Sequence, residues 1–263
     1  MFMMFSLFFL GRNDPELKLG GPYAPFSAAH IAVTLAAFAL VALAARFIRR
    51  QHSRSRLALA GCVYGFLVLL NILRLVWEST AGEFDIRTSL PLELCGLQMF
   101  ILPPALFSRG RFGGWMREFA FSYGTLGFVL SLIMPFTTLY DYPVWHFRTV
   151  QSVLYHSALG IVCLSLPGPG YEPQVRNARK AYVVLAAAAV LSGTANILTG
   201  GNYMYTAALP LPTQIVPWPY YLPLLLGFAL LAGRLPYYVF HFLKTRKTAD
   251  TASDYPNECN QSQ

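Results

Sequence analysis

The feature that most constrains this chain is a succession of apolar runs, at about 27–47, 57–77, 90–107, 117–139, 147–167, 180–199 and 219–243, joined by short connections. A helix needs about 20 apolar residues to cross the hydrocarbon core of a bilayer, so runs of this length predict membrane spans. In lipid every backbone polar group must be satisfied within the protein, which leaves helices as the reading for such segments. The expected fold is therefore all-α, a polytopic seven-helix transmembrane bundle. Charged residues are 12% of the chain, about half the share in soluble domains, too few to coat a soluble globule. The expected organisation is an interfacial segment over 1–26, a membrane domain over 27–243 and a polar, disordered tail over 244–263. The opening MFMMFSLFFL is too short to span and has neither a basic flank nor an A-x-A site, so it reads as interfacial and not as a cleaved signal.

Twenty Lys and Arg against twelve Asp and Glu leave a net charge of +8. The bases are clustered between the runs. Five arginines crowd 46–56, Arg109, Arg111 and Arg117 begin the fourth run, Arg176, Arg179 and Lys180 the sixth, and Lys244, Arg246 and Lys247 follow the seventh. The alternate connections are poor in bases. That alternation is the positive-inside pattern of a multi-pass protein and not a nucleic-acid footprint. It predicts an outer N-terminus and a cytoplasmic C-terminus. Cys62, Cys95, Cys163 and Cys259 show no CxxC or CxxH spacing, so neither a disulfide framework, a metal site nor a cofactor is expected.

Ionisable residues inside a span are expensive and mark sites. In the second run Asn71, Arg74 and Glu78 share one helix face through spacings of three and four. The third run opens LPLELCGLQMF, placing Glu93, Cys95 and Gln98 near its outer end. Read as a helix, it puts Cys95 and Gln98 on one face and Glu93 on another. The fifth run carries His156 near its middle, with His30 and His146 as weaker candidates at the edges of spans. After the sixth run the uncharged stretch over 200–218, rich in Gly, Pro and Tyr, reads as a non-helical lid over an outer pocket, with Asn196, Asn202 and Tyr203 facing the cavity. Arg234, deep in the seventh run, needs a partner, for which Glu93 is a candidate.

LPLELC, a mid-span histidine, GGNYMY and PWPYY, in this order, resemble the YwaF-like family of bacterial integral membrane proteins, related to the eukaryotic transmembrane protein 164 acyltransferases. The resemblance covers about 20–243. It implies phospholipid acyl transfer by a cysteine–histidine pair, with membrane lipids as partners and a phospholipid or acyl-lipid as substrate. His156 matches the family histidine. The bacterial motif reads LPLHLC, so Glu93 stands where it has histidine. In the eukaryotic motif the cysteine directly follows the proline, at Leu92 here, and Cys95 lies three residues on, on nearly the same helical face. Cys95 and His156 are thus the catalytic candidates. Asn71, Arg74, Glu78, Glu93, Gln98, Asn202, Tyr203 and Arg234 are the substrate-binding candidates. A transporter or channel lined by the same polar groups, or a seven-helix receptor, is the alternative. A retinal-type receptor is disfavoured because no lysine lies inside a span.

Overall fold

The computed structural model describes residues 8–12, 14, 17, 24–134, 142–168, 170–208, 217 and 219–253. Among them the fold is all-helical, with an isolated backbone bridge between Gly168 and Tyr171 in place of any strand. The helices are α1 (Ala28–Arg50), α2 (Ser53–Thr80), α3 (Gln98–Phe107), α4 (Arg111–Phe119), α5 (Thr125–Ile133), α6 (Phe147–Ser165), α7 (Ala178–Thr199), α8 (Tyr221–Ala232) and α9 (Leu235–Ser253). A π-helical turn over Ala120–Gly124 fuses α4 to α5. Four helical stretches, Ala28–Arg50, Ser53–Thr80, Val175–Thr199 and Tyr221–Arg246, are long and apolar enough to cross a membrane. Leu35, Leu43, Val190, Ile197 and Leu198 stand exposed on these stretches. An apolar surface of that extent has a solvent to match only in lipid.

α6 is the central helix. Eleven of its nineteen residues are buried, because it packs against α1, α2 and α5 at once. Gly160 admits the ring of Phe128, which a Cβ there would meet at 2.7 Å. The ends of α1, α5 and α6 are tied by histidines. His30 Nδ1 accepts from Phe26 N, and its Nε2 donates to Leu132 O at 2.8 Å, satisfying a carbonyl that the end of α5 leaves open. His146 caps α6, with Nδ1 accepting from Arg148 N at 3.2 Å and Nε2 donating to Leu10 O at 3.0 Å. The described part of the N-terminal segment is docked by that bond and by Trp77 Nε1 donating to Phe9 O at 2.9 Å. Residues 1–7 of the expected interfacial segment lie outside the described residues.

Both histidines are thus satisfied structural groups. The one at the aqueous edge, His146, must be neutral to accept at Nδ1, and burial lowers its pKa. Its folded-state pKa lies below its unfolded one, so its stabilising contribution is complete above about pH 6.5 and is lost as pH falls through the folded value. Thermal unfolding between pH 7.5 and 5 should show a steeper acid loss for the native chain than for His146→Gln. Parallel profiles would contradict this.

The third and seventh runs differ from expectation. The third is helical only over α3; residues 90–93 are bent, irregular chain and 94–97 form a turn. Pro91 brings no N–H to a helix, and the chain folds back so tightly that a Cβ on Gly96 would lie 2.8 Å from the Pro91 backbone. The helical-face argument for Leu92, Glu93, Cys95 and Gln98 therefore fails. Within α3, Pro103 strips the Met99 carbonyl of its helical donor, and Tyr64 OH takes its place at 2.9 Å. The seventh run breaks between α8 and α9 at Gly233 and Arg234, with Pro236 at the new helix start. Ser122 Oγ in the π-helical turn donates to Gly233 O at 2.6 Å, a carbonyl at the break, and Tyr123 OH donates at 3.1 Å to Ala229 O, which also accepts from Gly233 N. α9 continues to Ser253, so the start of the expected tail is helical, and 254–263 lie outside the described residues. The same is true of 135–139 of the fourth run.

Candidate functional site

A cavity of about 490 Å³ opens among α2, the 88–96 turns, α5, α6 and Tyr205. Of the sequence candidates, Asn71, Arg74, Glu93, Cys95 and His156 line it. α6 brings His156 to the cavity and orients it. Its Nδ1 donates to Ser152 O at 2.8 Å, which is the i−4 carbonyl, and lies 3.3 Å from Ser152 Oγ. In a neutral ring that assignment leaves Nε2 as the acceptor. Tyr155, one residue earlier, donates through its OH to Cys95 O at 3.0 Å. The helix that carries the imidazole therefore also pins the backbone of the cysteine.

The thiol is seated against α5. Cys95 Sγ lies 3.5 Å from Ser131 Oγ. A Cβ on Gly127 would come within 2.7 Å of that sulfur, so only a glycine there leaves room for it. Gly127 and Ser131, spaced by four, share the cavity face of α5. The fold-back at Pro91 and Gly96, not a helix, delivers the thiol to this groove. Thiol, hydroxyl and imidazole are the ingredients of nucleophilic chemistry in which a base takes the proton of a sulfur nucleophile.

Two arginines share one carboxylate beside them. Glu78 Oε1 lies 3.6 Å from Arg74 Nη1 and 3.4 Å from Arg148 Nη2. Arg74 Nη2 also donates to Ser89 O at 2.6 Å, and Arg148 Nη1 to Gln151 Oε1 at 3.0 Å. The three formal charges sum to +1. Arg74 Nε and Asn71 Nδ2 are buried N–H donors with no acceptor among the described residues. Glu93 in the same lining balances that charge formally, and the two unsatisfied donors beside the guanidinium groups match an oxygen acceptor on a ligand. Glu78 itself is set back from the cavity and acts as counter-ion to both guanidinium groups.

The remaining candidates are placed elsewhere. Gln98 is fully buried beside Gly124 and Cys163, behind the lining. Asn202 braces its own loop: Oδ1 accepts from Ala207 N and Ala208 N, and Nδ2 donates to Ala208 O. Tyr203 OH donates to Ile86 O and accepts from Leu90 N, tying this loop to the turns before Cys95. Arg234 is exposed, with Nε donating to Tyr182 OH at 3.0 Å, whereas Glu93 Oε2 accepts from Met204 N at 3.1 Å. The expected Glu93–Arg234 pairing does not form. In the expected lid, Met204 and Tyr205 hold positive φ of 54° each, a conformation L-residues rarely adopt, and Tyr205 reaches the cavity. Residues 209–216 and 218 of that stretch lie outside the described residues.

Sequence reasoning missed Arg148, Gln151, Ser131 and Gly127 as cavity residues. Arg148 falls at the edge of its run and reads as a lone base of a base-poor connection. Gly127 and Ser131 are common residues of membrane helices with no signal of their own. The pattern of small residues at 124, 127 and 131 was the available hint of a close approach.

A helical membrane protein with a polar cavity holding a cysteine, a histidine and paired arginines is the class that these features define. The sequence profile of the TMEM164 family matches residues 25–236, and the chain belongs to that family. No curated protein and no solved structure matches it.

Proposed function

We propose that this protein is a seven-pass enzyme that transfers an acyl chain between membrane lipids through a thioester on Cys95. The observation that carries the reading is the convergence of the Cys95 thiol and the His156 imidazole on a cavity that also holds Arg74 and Arg148. His156 Nε2 takes the thiol proton as sulfur attacks the ester carbonyl of a phospholipid. The C–S bond forms, the C–O bond breaks, and the proton passes to the departing lipid alcohol. A second lipid hydroxyl then gives its proton to His156 and attacks the thioester, which returns the thiol. Ser131 Oγ, 3.5 Å from the sulfur, serves as a hydroxyl donor to the developing oxyanion. Asn71 and the arginines receive the lipid phosphate. The polar lining gathers at the end of α2, the 88–95 turns, the end of α5 and the first half of α6, which favours a one-sided pocket over a conduit.

The reading is tested by incubating the full-length protein in nanodiscs with phosphatidylcholine and measuring its intact mass. A hydroxylamine-labile gain of one acyl chain on Cys95 is expected. Transfer without such an adduct would eliminate the thioester route. Gly127→Ala should displace the thiol and lower transfer about 100-fold, the usual cost of misplacing a reacting group by about 1 Å, in protein that still folds. Unaltered rates would remove α5 from the site.

The bacterial inner membrane and the inside-basic orientation belong to the same proposal. An impermeant thiol reagent should fail to label His52→Cys, in an otherwise cysteine-free chain, on intact cells. Labelling without permeabilisation would invert the topology.

A further inference from the structure

A second cleft lies between the end of α1 and α9, and the acyl-transfer reading makes no use of it. It has a volume of about 650 Å³. α1 contributes Arg46, Arg49 and Arg50, and α9 contributes Lys244 and Arg246, over an apolar floor of Phe240 and Leu243. Lys244 is paired with Glu172 at 2.5 Å, and Arg246 lies over the Phe242 ring at 4.5 Å. No carboxylate comes within ion-pair distance of Arg46, Arg49, Arg50 or Arg246 among the described residues. Four guanidinium groups from two helices thus face one cleft with no carboxylate paired to them among the described residues. Helical spacing of three and four on α1 puts Arg46, Arg49 and Arg50 on one side of that helix.

The position of the cleft specifies what would fill it. It sits where α1 ends and the chain turns at Gln51 and His52, so it lies at the boundary of the apolar bundle. Phe47 and Leu43 on α1, and Val239 and Leu243 on α9, remain exposed along the helices. A ligand there meets positive charge at one end and an uncovered apolar surface at the other. Phe228 lines the cavity of Cys95 and Phe240 lines this cleft. α2 begins at Ser53, beside the end of α1 that forms this cleft, and its Asn71 lines the cavity of Cys95; eighteen residues of unbroken helix separate the two, about 27 Å. The two sites are therefore toward opposite ends of the bundle.

We infer that this cleft binds an anionic phospholipid, its phosphate held by Arg46, Arg49, Arg50 and Arg246 and its acyl chains laid along α1 and α9. A basic pocket between helices at the membrane surface is suited to such headgroups, and guanidinium forks bind phosphate bidentately. The site is separate from the acyl-transfer cavity and stands whether or not that cavity is catalytic.

The test uses full-length protein in nanodiscs of phosphatidylcholine containing a minor fraction of phosphatidylglycerol. Co-purified lipid is measured by native mass spectrometry. Phosphatidylglycerol should be retained by the native chain well above its share of the disc. Arg46→Gln with Arg49→Gln should weaken retention about 25-fold, at about fivefold per arginine. Arg46→Lys with Arg49→Lys should keep most of it. Arg176→Gln with Arg179→Gln, an equal loss of charge elsewhere, should change little. Equal retention of both lipids, or equal loss in both Gln doubles, would overturn the inference. So would inorganic phosphate competing as tightly as the lipid, since the site would then be one for free anions.

Discussion

Cys95→Ala should abolish acyl transfer, lowering the rate by about ten-thousandfold or more, since removing a covalent nucleophile leaves only the catalysis supplied by binding. His156→Ala should lower it by about 100- to 10,000-fold, the range for a positioned acid–base group. Combining the two should cost little beyond Cys95→Ala alone, because the groups act as a unit. Cys62→Ala and Cys163→Ala are the controls. Cys62 is exposed on α2, and Cys163 is sealed in the core against Gly124, so neither sulfur lines the cavity. Their transfer rates should stay near that of the native chain. The measurement is single-turnover transfer of a labelled acyl chain in nanodiscs, with folded yield followed in parallel. Full activity in Cys95→Ala would end the thiol mechanism.

Glu78→Gln should be the most destabilising single polar change, about 3–5 kcal/mol, because it removes the shared counter-charge of two guanidinium groups that are little exposed. In a chain of this size that corresponds to a fall in unfolding temperature on the order of 10 °C. Adding Arg148→Gln to Glu78→Gln should recover part of the loss, since it withdraws one of the two uncompensated charges. Non-additivity of this kind identifies the groups as one network. An unfolding temperature unchanged in Glu78→Gln would mean that water or lipid phosphate already neutralises both arginines.

Much of the candidate site was legible because intramembrane polar residues announce themselves. Asn71, Arg74, Glu93 and His156 stand out by residue type and depth and Cys95 by the family resemblance, and all line one cavity. Gln98, Asn202, Tyr203 and Arg234 carry the same signal and do not line it. Residue type shows that a polar group needs a partner, not which partner it finds. Tyr203 meets that need with Ile86 O and Leu90 N, Asn202 within its own loop, and Arg234 with Tyr182.

The sequence by itself determined the helical class and the membrane setting, because both follow from local quantities. A run of apolar residues has nowhere but lipid to place its side chains, and its backbone no option there but a helix. The clusters of arginine, including the one that lines the second cleft, were equally visible. Only the tertiary structure decided how Cys95 is presented. The bends and turn over 90–97 replace a helix because Gly96 packs onto the Pro91 backbone, and the thiol fits because Gly127 of a distant helix carries no Cβ. Arg148 joins Arg74 through a carboxylate seventy residues before it in the chain. Such approaches link residues far apart in sequence, and neither hydropathy nor helical period carries any trace of a contact made by a second segment.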